Sequence, residues 1–430
     1  MLGVVLLFLV GGWFALRWYV GNTVAEYGPS AEDGGLDAAQ VAMRLAPRDP
    51  LTHWRLGKLQ QRDFANARSD AGAQLFAEAV ELSPRDYRLW MDYGRALEES
   101  GNIGQAEAAL KHSIELAPAY AYPRWYLGNL YLRAGRTDEA FAELQFAAES
   151  AQPLRGQVFS LALHVLGDDF VALNKALDGS TELRAQLASY LISNRKLDEA
   201  LRFWKALTPS EQKDQRVIGE ELINALAGVK KYHAALDVAR GWGGEASASP
   251  KPDEVFDGSF DATSGPIGSI VFGWQITSIP TAQAALDGVQ QHSGRRSLRL
   301  IFKSTTTLAL NTISQLVVVQ PQSRYRLEYY VRTDELRSAG TPVVMVTDEN
   351  DGAVLATSAP VPAGTANWQP FVVEFATKPA TEAIRLRISR APCGDDPVCP
   401  IFGTVWYDDF HIQFAGRVAG TTAANHTSAQ

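Results

Sequence analysis

Residues 124–144 read RWYLGNLYLRAGRTDEAFAEL, and residues 90–110 read WMDYGRALEESGNIGQAEAAL. Laid one over the other, Gly94 falls on Gly128, Gly101 on Gly135, Ala106 on Ala140 and Leu110 on Leu144, a repeat of 34 residues. The same step carries Pro118 back to Pro84, Ser113 to Ala79 and Leu110 to Phe76, while Pro153 arrives one place late. WRLG at 54–57 joins the register after a three-residue insertion. Self-similarity with a period of roughly 20–50 residues marks a repeat architecture. Each unit holds two segments of helical periodicity, which predicts a helical hairpin. Gly94, Ala106, Gly128 and Ala140 let the paired helices approach, and Trp90, Leu97, Leu110 and Tyr131 fill the space between them. Pro84 and Pro118 end each second helix. One hairpin cannot bury its own apolar face, so three or more must stack.

These residues resemble the tetratricopeptide repeat: an aromatic, then Leu-Gly, Tyr, Ala, a large apolar residue, Ala and Pro. The resemblance is sharpest over residues 51–150 and extends over 36–242, with residues 39–47 as a leftover half-repeat at the start. NRKLDEALRFW (194–204) and VKKYHAALDVA (229–239) keep the second-helix pattern, with Ala200 and Ala235 in the small-residue place, but lack Leu-Gly before them. The resemblance implies a helical solenoid whose first helices line a concave groove for a protein or peptide partner. Lys58, Arg95, Asn129 and Arg133 fall on those helices. They could meet an acidic ligand or form an ordinary solvated face.

Upstream, residues 2–16 (LGVVLLFLVGGWFAL) carry no charge before Arg17. A bilayer span needs about 20 apolar residues. The run reaches that length if Arg17 snorkels, with Trp13, Trp18 and Tyr19 at the interface. Residues 1–22 therefore read as a transmembrane signal-anchor and 23–35 as a juxtamembrane linker. A cleaved signal peptide competes, although a basic n-region is missing and Thr23–Val24–Ala25 is a weak cleavage site. A buried soluble helix is the third reading, and the polar stretch at 28–35 argues against it. Arg17 alone does not settle orientation.

Beyond residue 242 the texture changes. Residues 243–253 form a Gly/Ser/Pro linker, and period-2 alternation follows. SLRLIF (297–302), QLVVVQ (315–320), YRLEYYVR (325–332), PVVMVTD (342–348), FVVEFAT (371–377), AIRLRIS (383–389) and VWYDDFHI (405–412) read as strands of an antiparallel sandwich over 254–414, with 415–430 as a tail. DGSFD (257–261), GWQI (273–276), SGRRSLRL (293–300), NWQPFVVEF (367–375) and VWYDDFHI resemble the galactose-binding-like jelly rolls of bacterial carbohydrate-binding modules, with Asp257 and Asp261 where that family usually has Asn and Glu. The resemblance implies a structural calcium joining the first and last strands, with Asp261 and Asp409 as candidates, since hard oxygen ligands suit Ca²⁺. It also implies a glycan site. Alternation along YRLEYYVR places Arg326, Glu328, Tyr330 and Arg332 on one face. Arg385 and Arg387 lie on the polar side of a second strand. Such a face could recognise an acidic or hydroxyl-rich glycan, or be plain solvated sheet.

Cys393 and Cys399 bracket CGDDPVC. The separation allows a disulfide, with two buried free thiols as the alternative. A disulfide places this part of the chain in an oxidising compartment, so the bulk of the chain would be extracytoplasmic. The net charge of −8 comes with no long basic run, which argues against nucleic acid. No metal spacing, G-x-S-x-G, P-loop or dinucleotide fingerprint is present in the 430 residues. The sequence thus predicts a non-catalytic, membrane-anchored scaffold that binds a protein partner and a glycan, with bacterial envelope or exopolysaccharide assembly as its context. A purely protein-interacting subunit is the alternative. A cytoplasmic-facing adaptor with free thiols is a third.

Overall fold

The computed structural model describes residues 2–62, 69–167, 169–241, 249–262, 271–278, 280, 282–303, 305–307, 313–394 and 398–418. The chain divides into two compact units, residues 1–190 and 191–430.

The first unit is helical: α1 (Leu2–Tyr27), α2 (Gly35–Leu45), α3 (Pro50–Arg62), α4 (Ser69–Leu82), α5 (Tyr87–Glu99), α6 (Ile103–Leu116), α7 (Ala121–Arg133), α8 (Thr137–Ser150), α9 (Gln152–Leu166) and α10 (Phe170–Ala176), with α11 (Thr181–Ser193) running across the boundary. The 34-residue period is a packing period. A Cβ placed on Gly94 would stand 2.7 Å from Leu110 Cγ, and one on Gly128 would stand 2.7 Å from Leu144 Cγ. Ala106 and Ala140 are completely buried against the same helix pairs. Gly101 and Gly135 turn the chain between the helices at φ 80° and 74°, where an L side chain is strained. Pro153 sits in the first turn of α9 instead of ending α8.

The start of the chain departs from the expectation. Residues 3–27 form a helix long and apolar enough to cross a membrane, yet it continues five residues past the expected boundary at 22. A Cβ on Gly21 would lie 2.7 Å from Ala46 Cβ and 2.9 Å from the Ala42 carbonyl oxygen. Asn22 Nδ2 donates to Asp49 Oδ2 at 2.8 Å. The end of α1 is therefore the first helix of a hairpin with α2, so the half-repeat read at 39–47 is whole and 23–35 is only partly linker. Gly21 and Ala25 are the small residues that allow this approach, and the apolar run concealed them.

The second unit holds α12 (Leu197–Ala206), α13 (Pro209–Asp214), α14 (Arg216–Gly228) and α15 (Tyr232–Arg240). Ala200 and Ala235 are completely buried on α12 and α15. Among the described residues, twelve strands follow: β1 (Gln275–Ile276), β2 (Ala282–Asp287), β3 (Ser297–Phe302), β4 (Thr305–Thr307), β5 (Ile313–Val318), β6 (Ser323–Arg337), β7 (Pro342–Asp348), β8 (Val354–Thr357), β9 (Gly364–Ala376), β10 (Ala383–Arg390), β11 (Val398–Pro400) and β12 (Phe402–Arg417). They form two five-stranded sheets, β1-β5-β10-β7-β8 and β2-β3-β12-β6-β9, with β4 and β11 as a small extra pair. Neighbouring strands are antiparallel throughout. Leu327, Tyr329, Val331, Val405 and Tyr407 of one sheet pack on Val344, Val346, Ile384, Leu386 and Ile388 of the other.

The opening turn DGSFD lies on the closing strand. Gly258 O accepts from Phe410 N at 2.9 Å, and Phe260 packs on Trp274 and Phe410. The β-bulge between Asp408 and His411 makes this seat. Strand β12 runs to Arg417, three residues into the expected tail. Residues 419–430, and 243–248 of the expected linker, lie outside the described residues. The outer side of β5 is covered: every residue of β5 is buried, Gln315 Nε2 donates to Phe256 O, and α15 packs on β5.

Candidate functional site

The broad polar surface that carries Tyr330 is the outer face of β2-β3-β12-β6-β9. Asp287 ends β2 and is nearly buried. Its carboxylate accepts Trp406 Nε1–H at 2.8 Å, Arg299 Nη1–H at 3.1 Å and the Val289 amide at 2.8 Å. Burial alone would raise its pKa, but the Trp406, Val289 and Gln290 donors and the Arg299 charge outweigh burial and leave it lowered. Trp406 pairs with Arg299 on β3 and Arg332 on β6. The Arg332 guanidinium sits 6.0 Å from the Trp406 ring centroid and donates to Asn367 Oδ1 at 2.8 Å.

Further along the face, Tyr330 pairs with Asp408 on β12. His292 stacks on Tyr330 with ring centroids 3.7 Å apart, and Trp368 meets His292 edge-on at 5.7 Å. His292 is fixed from behind: its Nδ1 lies 2.6 Å from Asp409 Oδ2, and its amide donates to Asp408 Oδ2 at 2.7 Å. Asp408 is completely buried. Burial, assisted by the Asp409 charge, pushes its carboxyl up to about 6 against the amide donors that favour the ionised form. The face therefore presents Trp368 and the His292–Tyr330 stack, flanked by Arg332, Asn367 and Arg299, with Trp406 buried beside them. Aromatic planes beside fixed donors suit a flat, hydroxyl-rich ring.

Arg326 lies lower on this face, 3.6 Å from Glu328. It pairs with Glu374 and Gln413, beside an open recess of about 560 Å³ that Phe414 also lines. Arg385 and Arg387 do not join the set. They lie on β10, in the other sheet, where Arg385 Nε donates to Glu349 Oε1 at 2.5 Å and Arg387 stands 3.7 Å from the same oxygen. The outer faces of a sandwich point in opposite directions, so the polar side of β10 cannot extend the Tyr330 face.

Asp261 and Asp409 both hold the 292–296 loop. Asp261 Oδ1 accepts the Arg295 and Arg296 amides at 2.7 and 3.0 Å, while Asp409 Oδ1 accepts Ser293 Oγ–H at 2.7 Å. Among the described residues, no group of three His, Cys, Asp or Glu is placed to hold a metal ion. Cys393 and Cys399 are joined in a disulfide with Cα atoms 5.6 Å apart. The buried Arg390 donates to Cys399 O at 2.7 Å and contacts its Sγ at 2.8 Å.

On the repeats, the groove residues are held within the fold. Lys58 Nζ and Arg95 Nη1 both reach Asp92 Oδ1, at 3.3 and 3.1 Å, and Trp54 Nε1 donates to Asp92 Oδ2 at 2.7 Å. Arg95 also lies 4.5 Å from the Tyr126 ring centroid. Arg133 Nε donates to Glu98 Oε1 at 2.6 Å, and Asn129 Nδ2 to the Trp125 carbonyl at 2.7 Å. Asp92, His292, Asp287 and Asn367 were not legible as site residues. His292 and Asp409 are 117 positions apart, and Asp287 and Trp406 are 119 apart, so no local spacing announces either contact.

Residues 58–118 match the tetratricopeptide repeat family. Among solved structures, the chain is similar to a crystal structure of MamA (16% identity, 46% of this chain and 91% of that one, TM-score 0.26). It is similar also to MamA from residue 41 to its end from Desulfovibrio magneticus RS-1 (17% identity, 40% and 96%, TM-score 0.31). A third likeness is to the CBM22-1 xylan-binding domain of Xyn10C from Paenibacillus barcinonensis (14% identity, 39% and 99%, TM-score 0.26). No protein of curated function matches the chain. The helical part is a tetratricopeptide-type solenoid and the C-terminal part an antiparallel β-sandwich.

Proposed function

We propose that the chain is a non-catalytic scaffold, anchored in a membrane by α1, that engages a protein partner through its repeats and a glycan through the outer face of β2-β3-β12-β6-β9. The observation that carries the glycan reading is the His292–Tyr330 stack beside Trp368. It offers an aromatic platform with Arg332 and Asn367 at its edge. The disulfide supports an oxidising, extracytoplasmic setting, and envelope or exopolysaccharide assembly is the context in which an anchored scaffold with a sugar-binding end would work. Glycan-array binding of the full chain in detergent tests it: Tyr330→Ala should abolish saturable binding, while Arg385→Ala, on the opposite sheet, should leave it intact. Silence of the wild type across the array would favour a subunit that binds protein alone.

Calcium belongs to the same proposal. The ion would have to share Asp261 and Asp409 with the amides and the hydroxyl that now donate to them. Binding to the native state alone stabilises by about 2.7 kcal/mol at one hundred times Kd. Chelator should then lower the sandwich melting temperature, and Asp409→Ala should remove the difference. An unchanged wild-type melt would assign both carboxylates to loop-holding alone.

A further inference from the structure

The anchor helix and the repeats share an edge. Arg17 Nη2 donates to the Arg44 carbonyl at 3.0 Å, at the end of α2, and Gly21 meets Ala46. The exposed apolar length of α1, Val4 to Val20, thus leaves the solenoid at the turn joining α2 to α3. The same turn recurs at the next two hairpins: Asp49 N donates to Ala46 O at 3.1 Å, Asp86 N to Ser83 O at 3.3 Å and Tyr120 N to Ala117 O at 3.1 Å. Helices of stacked hairpins alternate in direction, so these three turns lie on one edge and the turns at Gly101 and Gly135 on the other.

The edge has a distinct chemistry. Its turns read PRDP (47–50), PRDY (84–87) and PAYA (118–121). Arg44, Arg48 and Arg85 are exposed and make no side-chain hydrogen bond or ion pair among the described residues. Of the acids beside them, Asp49 accepts from Asn22 and Leu51 and Asp86 from Arg88, while Glu81, at the end of α4, is exposed. Tyr120 and Tyr122 stand 55% and 48% exposed.

We infer that this edge lies on the bilayer surface, with Arg44, Arg48 and Arg85 against the phosphates of anionic lipids and Tyr120 and Tyr122 at headgroup level. The inference rests on the reading of α1 as an anchor. Continuity with α1 identifies the occupant: the span emerges among these arginines. Tyrosine prefers the membrane interface, and basic side chains near an anionic leaflet are attracted to it.

The test uses the full chain in nanodiscs of phosphatidylcholine and phosphatidylglycerol, with nitroxide labels on Leu9→Cys, Ala119→Cys and Gly104→Cys in separate samples. Collision with oxygen and with a water-soluble nickel chelate reads depth. Leu9 should report hydrocarbon, Ala119 the headgroup layer and Gly104, on the opposite edge, bulk water. If Leu9 reports water, the anchor reading fails and this inference with it. If Leu9 reports hydrocarbon but Ala119 matches Gly104, the anchor stands and the docked edge is overturned. Arg48→Glu with Arg85→Glu should move the Ala119 label towards water, because each arginine lost lowers the docking equilibrium constant about fivefold. An unchanged Ala119 depth in that double variant would overturn the assignment of phosphates to these arginines.

Discussion

Asp92, Glu98 and Glu107 of the repeats and Asp408 of the sandwich are held in opposite ways. Each of these three repeat acids is met by a cation from the neighbouring hairpin, about one period along the chain. Asp92 takes Lys58, Glu98 takes Arg133, and Glu107 takes Arg136 at 2.7 Å together with Lys111. In the sandwich, Asp408 is buried with amide donors and a second aspartate beside it. Pairing across a regular stack needs only a translation. The sandwich instead assembles its cluster from distant loops and tolerates an acid that holds its proton more tightly than usual. Two glycines show a contrast of another kind: the nearest neighbour of a Cβ at Gly128 is a side chain, and at Gly258 it is backbone.

The largest expected effect exploits that difference. A Cβ at Gly258 would stand 2.0 Å from the Phe410 carbonyl oxygen, whereas one at Gly128 meets Leu144 Cγ at 2.7 Å. Backbone cannot rotate aside as a leucine can. Gly258→Ala should therefore destabilise the sandwich by about 3 kcal/mol and Gly128→Ala the repeats by about 1 kcal/mol, read from denaturant unfolding. Equal costs would mean that the opening turn is not seated on β12.

Next in size are Ala200 and Ala235. Both are completely buried, and Ala200→Leu or Ala235→Leu should each cost about 2 kcal/mol by overpacking. Unchanged melting of both variants would remove residues 197–240 from the set of close-packed hairpins.

The smallest effect is in pH dependence, where the two regions should slope in opposite directions. Burial lifts Asp408 to about 6, so the native state holds a proton that the unfolded chain has released. That contribution is full below the ordinary carboxylate range and is lost as pH rises through about 6. The Arg136 hydrogen bond, then those of Lys111 and Tyr131, hold Glu107 down to about 2. Its contribution is full above the ordinary range and is lost as pH falls towards about 2. Thermal melts between pH 2 and 7 should show Asp408→Asn flattening the upper limb and Glu107→Gln the lower one. If Asp408→Asn leaves the upper limb unchanged, its carboxyl titrates in the ordinary range.

What was legible in the chain divides along the same line. The 34-residue ladder identified the repeats because contacts there join residues in the same or the adjacent hairpin: Gly94 meets Leu110 in its own hairpin, and Asp92 meets Lys58 in the one before. Alternation along β6 separated Tyr330 and Arg332 from Tyr329 and Val331, since successive side chains of a strand must point to opposite faces. Strand order was beyond both patterns. Only the tertiary fold places β10 away from β6, so that Arg385 and Arg387 belong to the other sheet. It also brings a loop histidine from between β2 and β3 onto Tyr330, and lets α1 serve at once as an apolar span and as the partner of α2. Local periodicity reports which face a residue takes. Which faces meet is decided by packing between segments, some more than a hundred residues apart, through contacts that leave no spacing to read.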